Sequence, residues 1–245
     1  MDLSAYAVGA LGIYHPEPRY FSGGPLIAGI VITYRPETSI LRKTVQSLID
    51  QVDHLFIVDN GSSVKAGEFV SDHERLTLIQ LEDNYGIAKA QNRGIAEARK
   101  VGADYVVLSD QDTRYPPGAI SQLMDVFDRW PLAAAVVPKF NDVNKAGRDG
   151  FILASSIFFS PSQVDGGEYD LLQAIASGKL IRLSALDQVG LMYEDLFIDW
   201  VDIEWCWRAR ARGYQIVGSA DVVIDHALGD ESLAIGYREV NLRSP

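Results

Sequence analysis

The sequence lacks most features of a secreted, membrane-spanning or nucleic-acid-binding protein. Its 245 residues include a single cysteine, Cys206, which excludes an intramolecular disulfide and makes a reducing compartment the expected setting. No apolar run approaches the roughly 18–20 residues that a membrane-spanning helix needs. Basic residues number 22 against 33 acidic ones. This balance argues against nucleic acid as a partner, because a phosphate backbone requires a basic surface.

The N-terminal region, residues 1–25, is interpreted as an extension that precedes the folded domain. It is mildly apolar, but it lacks the basic start and the cleavage site of a signal peptide. A Gly-Gly-Pro break at 23–25 separates it from the first long apolar run. These features predict a cytoplasmic protein.

The bulk composition is that of an ordinary globular domain. The chain is 47% hydrophobic and 22% charged, and it is long enough to bury a large core. Its net charge of −11 would repel a ligand that carries phosphate. Such a ligand therefore needs local positive charge from a bound cation, a helix N-terminus, or a well-placed Arg or Lys.

Apolar runs of strand length alternate with helical patterns over the first 140 residues. Strands are predicted at 26–33, 55–59, 76–81, 104–109 and 133–137, and helices at 39–50, 87–100 and 117–129. This alternation is typical of an α/β fold with a mostly parallel central sheet and helices on both faces. Ligands of such sheets bind beyond the carboxyl ends of the strands, which here carry Thr33-Tyr34, Asp59-Asn60 and Asp110–Asp112.

From Phe140 onward the pattern is less regular. A helix is predicted at 202–212, where Gly213 would end it, and short strands are predicted at 214–217 and 222–225. The sequence contains no internal repeat and no low-complexity segment.

Two aspartates flank one residue where the fourth predicted strand ends. Asp110 and Asp112 could therefore reach the same cation. Mg²⁺ or Mn²⁺ suits carboxylate ligands and keeps coordination positions open for phosphate oxygens. Aspartate is also common in turns, so the pair alone is weak evidence for a metal site.

Two further polar loops lie on the same predicted edge of the sheet. Asp59 begins an Asp-Asn-Gly-Ser turn and could accept a hydrogen bond from a nucleobase imide, although the turn interpretation alone is favoured. Asn84 and Gly86 open a predicted helix that also contains Asn92, and a helix N-terminus suits an anionic group. A capped helix with a tightly packing face explains these residues equally well.

Three acids, Asp199, Asp202 and Glu204, lie within six positions among large apolar residues. Apolar surroundings raise the proton affinity of an acid and can tune a general base. The alternative is a helix start whose acids are favoured by the helix dipole. Trp200 and Glu204 are interpreted as sugar or acceptor contacts, although tryptophan more often packs in a core. His226 could contact the cation or a diphosphate, although a lone histidine is more often structural.

These motifs occur in an order that resembles the large inverting glycosyltransferase family with the GT-A fold. Within that family, the segments LSDQDT and FIDWVDIEWCWRAR most resemble bacterial rhamnosyltransferases of surface-polysaccharide assembly. The resemblance covers roughly Leu26 to Gly229. The whole ordered set carries it: Thr33-Tyr34, Val58–Ser62, Asn84-x-Gly86, Asn92-x-Gly94, Asp110–Asp112 and Phe197–Arg208.

The resemblance implies a role for each matching position. The nucleotide pocket would be formed by Thr33, Tyr34, Asp59, Asn84, Gly86 and Asn92. Asp110 and Asp112 would hold Mg²⁺ or Mn²⁺ together with the donor ribose and diphosphate, and His226 would lie near them. Ser177 and Gly178 would border the sugar and the acceptor.

Asp202 would be the catalytic base. The family's Glu-Asp motif reads Val201-Asp202 in this chain, so the extra nearby acid Asp199 is an alternative base. The implied reaction is a single displacement that inverts the anomeric carbon. The donor would be a dTDP- or UDP-linked sugar, with dTDP-L-rhamnose favoured, and the acceptor a glycan or a lipid-linked glycan.

The resemblance also divides the domain into a nucleotide-binding half, 26–139, and an acceptor-binding and catalytic half, 140–245. Members often continue past the position of Pro245 with a basic amphipathic segment. The expectation is therefore a short variant or a truncated chain, which leaves peripheral contact with the inner face of a membrane as an open alternative.

Two other functional classes remain as alternatives. A nucleotidyltransferase also uses paired aspartates and Mg²⁺ on an α/β sheet, but it usually has a Gly-rich phosphate loop, which residues 26–37 lack. A non-catalytic nucleotide-sugar-binding module would have no reason to retain the acids.

Overall fold

The computed structural model describes residues 24–63, 73–142, 150–155 and 161–226. Ten strands in these ranges form one mixed sheet of order β3-β2-β1-β4-β9-β6-β10-β8-β7, and β5 pairs with β10 off this path. The strands are β1 (Ile27–Thr33), β2 (His54–Asp59), β3 (Leu76–Gln80), β4 (Tyr105–Asp110), β5 (Thr113–Arg114), β6 (Ala133–Asp142), β7 (Ile152–Leu153), β8 (Glu168–Gln173), β9 (Lys179–Arg182) and β10 (Gln215–His226).

Five α-helices accompany the sheet within the described ranges. They are α1 (Thr38–Leu48), α2 (Ile87–Lys100), α3 (Ala119–Arg129), α4 (Leu183–Val189) and α5 (Val201–Ala211). No helix of this part of the chain is long and apolar enough to cross a membrane. The predicted N-terminal extension lies almost entirely outside the described residues.

The first four strands of the order, β3, β2, β1 and β4, pair in parallel, as predicted. Strands β1 and β2 are buried on both faces, which is why each reads as a continuous apolar run. Along β1, Ala28 and Ile30 face one core cluster with α2, α4 and α5, whereas Val31 faces a second cluster with α1 and α3. The helices therefore cover both faces, and the α/β prediction is confirmed.

The other half of the sheet differs from the prediction. Strand β9 was not predicted, and it runs antiparallel between β4 and β6. The two short strands expected at 214–217 and 222–225 are one strand, β10, whose register shifts between Ser219 and Val223. This irregularity explains why the apolar pattern is interrupted there.

Two helix starts have unusual backbone conformations. Helix α3 begins at Ala119 and follows Gly118, whose backbone is left-handed with φ 78°. The predicted start at Pro117 is therefore two residues too early. Helix α5 begins at Val201 after Trp200, which is also left-handed with φ 68°. The predicted stop of α5 is confirmed, since Gly213 follows it with φ 85°.

Candidate functional site

The carboxyl ends of β2, β1 and β4 form one edge of the sheet. In the parallel register Thr33 lies beside Asp59, and Ile32 lies beside Asp110. Three residues that the sequence assigned to a nucleotide pocket, Thr33, Asp59 and Asp110, therefore sit on adjacent strands. The Thr33 hydroxyl is buried and has no hydrogen-bond partner among the described residues.

Asp59 is fully buried and stabilises the turn that follows β2. Its Oδ1 accepts a hydrogen bond of 2.8 Å from the backbone N–H of Ser62. Gly61 is left-handed at φ 81°, and a Cβ there would lie 2.3 Å from the backbone of Asp83. The structure thus supports the interpretation that Asp59 stabilises the turn, and this role does not exclude a contact between its carboxylate and a nucleobase.

Gln111 connects the β1 loop with the turn after β4, and the sequence reasoning had not singled it out. Its side-chain Oε1 accepts from the Tyr34 N–H at 2.9 Å, and its carbonyl accepts from the Thr44 hydroxyl at 2.7 Å. The Arg35 guanidinium lies over the Tyr34 ring, 5.0 Å from its centroid. These contacts hold Tyr34 next to Asp110 and Asp112.

A chain of side-chain hydrogen bonds joins the end of β4 to the loop before β9. Thr113 Oγ1 donates to Ser177 Oγ at 3.2 Å, and the Ser177 hydroxyl donates to Asp110 Oδ2 in a short contact. Gly178 is left-handed at φ 77°, and a Cβ there would lie 2.7 Å from Pro138. Only glycine therefore allows the loop to pass this close to β6.

The same loop holds Asp202, which lies in the first turn of α5. The backbone N–H of Ala176 donates to Asp202 Oδ2 at 2.9 Å, one residue before the serine that contacts Asp110. The segment Ala176–Gly178 thus brings together two acids that are far apart in the sequence. No sequence pattern indicates this link, because one of its two bonds comes from the backbone.

Burial raises the pKa of the Asp202 carboxyl above its ordinary value. The positive charge of Lys179 opposes this shift, and the negative charge of Asp110 adds to it. Lys179 belongs to β9 and is fully buried, and the sequence reasoning had not identified it.

The remaining acids of this region have other surroundings. Asp199 lies in an exposed turn before α5. Glu204 accepts from Arg208 through both carboxylate oxygens, each at 2.7 Å. The Trp200 side chain is 59% exposed, and its ring meets that of Trp207 edge-on at 5.7 Å between centroids.

His226 ends β10, where its backbone pairs with Thr113 of β5. Its side chain lies outside the described part of the structure, so its role near the cation stays a prediction.

Asn84 connects two loops at the edge of the sheet. Its Oδ1 accepts from the Asn60 side-chain amide at 2.9 Å and from the Gly86 N–H at 3.1 Å. Asn60 in turn accepts from the Tyr85 N–H at 3.0 Å. This amide pair fixes the position of the loop that leads into α2.

The N-terminus of α2 meets protein rather than open solvent. The Phe197 carbonyl accepts from the N–H groups of Ile87 at 2.7 Å and Ala88 at 3.4 Å. Gly86 has φ 88°, and a Cβ there would lie 2.5 Å from the Phe197 oxygen. These contacts support the interpretation of α2 as a capped helix that packs tightly at its start.

Asn92 ties α2 to the segment before α5. Its side-chain amide donates to the Met192 carbonyl and to Glu194, each at 2.9 Å, and its Oδ1 accepts from the Met192 N–H at 3.0 Å. These bonds satisfy the amide without a ligand.

The Asn92→Ala variant is expected to be less stable by about 1–3 kcal/mol, because it leaves the buried Met192 backbone groups unsatisfied. Urea unfolding followed by circular dichroism measures this loss. Calorimetry with dTDP on the same variant reports separately on nucleotide contact, and a loss of affinity in a fully stable variant would contradict the structural role.

Asp110 and Asp112 fit a hard divalent cation. Both are half-buried beside the turn after β4, and their carboxylates match the oxygen preference of Mg²⁺ and Mn²⁺. The described residues contain no cluster of three or more His, Cys, Asp or Glu side chains that could hold an ion alone. Two carboxylates leave most coordination positions of such an ion to other oxygen ligands.

Both the sequence and the fold of this chain are similar to those of known proteins. The profile of the family described as "Glycosyl transferase family 2" matches residues 29–190. The dTDP-rhamnosyl transferase RfbF of Shigella flexneri is 31% identical over 227 residues, which cover 89% of this chain and 75% of that protein. The N-acetylglucosaminyl-diphospho-decaprenol L-rhamnosyltransferase of Mycobacterium tuberculosis is 26% identical over 58% of this chain, which spans 48% of the relative's length.

Solved structures with the same fold include GalNAc-T7 with UDP, GalNAc and Mn²⁺, at a TM-score of 0.69 and 13% identity, over 86% of this chain and 45% of that one. Staphylococcus aureus TarS matches at a TM-score of 0.64 and 18% identity, over 83% of this chain and 37% of that one. This chain thus spans less than half of either protein. At these identities the likeness concerns the fold, and it confirms the predicted GT-A architecture.

Proposed function

Because the chain belongs to glycosyl transferase family 2, we propose that it moves L-rhamnose from dTDP-L-rhamnose to a hydroxyl of a glycan or lipid-linked acceptor, with inversion at the anomeric carbon. The glycosyltransferase class follows from the family, which leaves no support for the nucleotidyltransferase and the non-catalytic module. The name of the RfbF relative supports the donor sugar. The observation that carries the proposal is the Ala176–Gly178 segment, which contacts both Asp202 and Asp110.

Asp202 is the proposed base. Its carboxylate takes the proton of the acceptor hydroxyl while that oxygen bonds to the anomeric carbon. The bond between this carbon and the diphosphate breaks at the same time, and the nucleoside diphosphate leaves from the opposite face. Burial supports this role, because it raises the affinity of the carboxylate for the proton that it must accept.

The nucleotide would lie across the edge formed by β2, β1 and β4. Asp59 would accept from the base. The Thr33 hydroxyl, which has no hydrogen-bond partner among the described residues, would meet a ligand polar group next to Tyr34. Asn84, Gly86 and Asn92 would act beside the pocket by fixing its walls, in keeping with their protein contacts.

A divalent cation would be held by Asp110 and Asp112, with His226 as a further contact. Bound there, Mg²⁺ or Mn²⁺ would offset the charge that develops on the departing diphosphate. The Ser177 hydroxyl would keep the Asp110 carboxylate oriented through the bond that it donates.

The acceptor would approach from the start of α5. Ser177 and Gly178 directly follow Ala176, whose N–H donates to Asp202, and the exposed Trp200 offers a ring face for stacking against a sugar. Glu204 would shape this surface through its ion pair with Arg208. An acceptor on a lipid carrier would bring the chain into peripheral contact with a membrane.

The Asp59→Ala variant is expected to bind dTDP about 10–100-fold more weakly, because a hydrogen bond to a charged group contributes about 1.5–3 kcal/mol. Isothermal calorimetry measures the affinity. Asp83→Ala is the matched control, since Asp83 makes a similar local contact to the Asn84 N–H in the adjacent loop. Equal affinity of the Asp59→Ala variant and the wild type would assign Asp59 to the turn alone.

A panel of nucleotide sugars tests the function as a whole. With Mn²⁺ present, dTDP-L-rhamnose should raise the melting temperature most and should slowly release dTDP. Larger stabilisation and faster release with a UDP-linked sugar would replace the proposed donor. No stabilisation by any nucleotide sugar would contradict the proposed transfer.

A further inference from the structure

Lys179 has surroundings that are unusual for a lysine. It begins β9 near the middle of the sheet, opposite Leu108 of β4, and its side chain is fully buried. Lysine is almost never fully buried unless its charge is compensated, because the loss of hydration is costly. Its position in this core therefore requires an explanation.

The ammonium group of Lys179 points at the first turns of α5. Its Nζ lies 3.4 Å from the backbone oxygen of Asp202 and 3.6 Å from Cys206 Sγ, and 5.9 Å from the centroid of the Trp205 ring. Asp202 and Cys206 are four residues apart and so lie on the same face of α5. Within the described ranges, Lys179 has no carboxylate oxygen within the 4.0 Å of an ion pair.

Ionisable groups of three elements surround Asp202. Asp110 faces it from β4, Lys179 from β9, and the Cys206 thiol from its own helix, while α2 contributes the neutral amide of Gln91. Burial raises the pKa of the Cys206 thiol, so that side chain adds no charge at neutral pH. Among the described residues, Lys179 is thus the cation that opposes the effects of burial and of the Asp110 charge on Asp202.

We propose that Lys179 is a positioning residue for Asp202: its buried ammonium anchors the first turn of α5 and keeps the Asp202 carboxylate charged beside the Ala176–Gly178 segment. This inference rests on the proposed function only where it concerns turnover. The expected coupling between the two side chains does not depend on whether Asp202 is the base.

The coupling is tested by denaturation of four proteins: wild type, Lys179→Met, Asp202→Asn and the double variant. Methionine keeps the length of the side chain and removes its charge. The change in urea midpoint caused by Lys179→Met should be more unfavourable in the wild-type background than in the Asp202→Asn background, because only the former leaves a buried carboxylate uncompensated. Equal changes in both backgrounds would overturn the proposal.

If Lys179→Met does not fold, folding of the double variant becomes the test of the coupling. Recovery of folding by the added Asp202→Asn supports the coupling. Failure of both to the same extent means that the lysine serves the core independently of Asp202, which contradicts the proposal.

Turnover gives the second readout, with dTDP release from dTDP-L-rhamnose and Mn²⁺ as the assay. An opposite charge nearby lowers the pKa of an acid by about 1–3 units, so the acidic limb of kcat in Lys179→Met should move up by about that much. Activity should return as the pH rises, with KM for the donor unchanged. A uniform loss at every pH would indicate a merely structural role and overturn the proposal.

Lys139→Met is the matched control, because Lys139 in the neighbouring strand β6 donates to the Val164 carbonyl at 2.8 Å. It should show no coupling to Asp202→Asn and no movement of the acidic limb. The denaturation and turnover experiments also distinguish a failure of this inference from a failure of the proposed function. If Asp202→Asn retains full turnover, the base assignment fails, while the denaturation cycle still reports on Lys179.

Discussion

Replacing Asp202 with asparagine is expected to lower turnover of dTDP-L-rhamnose by about 10²–10⁴-fold, the contribution typical of a positioned general base. Asparagine can still accept from the Ala176 N–H, so the segment that also contacts Asp110 should keep its place. Donor binding should therefore persist. Stopped assays for dTDP release give kcat, and calorimetry with dTDP and Mn²⁺ gives the affinity.

Asp199→Asn is the control for this result. Asp199 is exposed and lies before the first turn of α5, so its loss should leave turnover close to that of the wild type. If Asp199→Asn loses turnover and Asp202→Asn keeps it, the base assignment is wrong.

The same carboxylate predicts the pH dependence of the wild type. A base must be ionised to accept a proton, so turnover should fall as the pH falls through the pKa of Asp202. Because burial raises that pKa, the acidic limb should lie above the ordinary range of an aspartate. The free energy of unfolding changes with pH in the opposite direction to turnover. An acid with a raised folded-state pKa stabilises the fold at low pH, and this contribution disappears as the pH rises through that pKa.

Asp112→Asn is expected to abolish the part of the stabilisation by dTDP that depends on Mn²⁺. Ligand bound at 100 times its dissociation constant stabilises a protein by about 2.7 kcal/mol, which corresponds to several degrees in melting temperature. Loss of one of two protein carboxylates should remove this gain, since the described residues offer no cluster that could hold the ion alone.

Thermal shift assays with and without EDTA measure this effect. Asp125→Asn on the exposed face of α3 is the control for the change of one charge and should behave as the wild type. A full Mn²⁺-dependent shift in Asp112→Asn would contradict the metal role.

The parallel part of the fold was predictable because its signals are local. Strands buried on both faces read as apolar runs, and α2 occupies the predicted range Ile87–Lys100 because its small and apolar residues repeat at helical spacing. The carboxyl ends of these strands then fix the neighbourhood of Thr33, Asp59 and Asp110 without any knowledge of side-chain contacts.

The antiparallel part depends on pairings that the sequence does not reveal. Strand β8 (Glu168–Gln173) is short and only partly buried, so its pattern is too weak to distinguish from a loop. Strand β9 begins with a charged residue, Lys179, whose burial makes sense only once α5 lies against it. The helix start at Ala119, after Gly118, differs from the prediction because a nearby proline is the stronger signal, although here it lies in the turn before the helix.

The candidate site was predictable as a set of residue types but not as an arrangement. Asp110 and Asp202 were each singled out, yet their connection runs through the Ser177 hydroxyl and a backbone N–H. The sequence also suggested an anion site at the N-terminus of α2. It could not show that the Phe197 carbonyl, from a loop distant in the sequence, caps this helix.

A crystal structure of the Asp202→Asn variant with dTDP-L-rhamnose and Mn²⁺ tests the central arrangement most directly, since the variant should hold the donor without consuming it. The account predicts one ion that contacts the carboxylates of Asp110 and Asp112 and the diphosphate, with the anomeric carbon facing the asparagine beside Ala176. A donor bound away from the edge formed by β2, β1 and β4, or an ion that contacts neither aspartate, would contradict it.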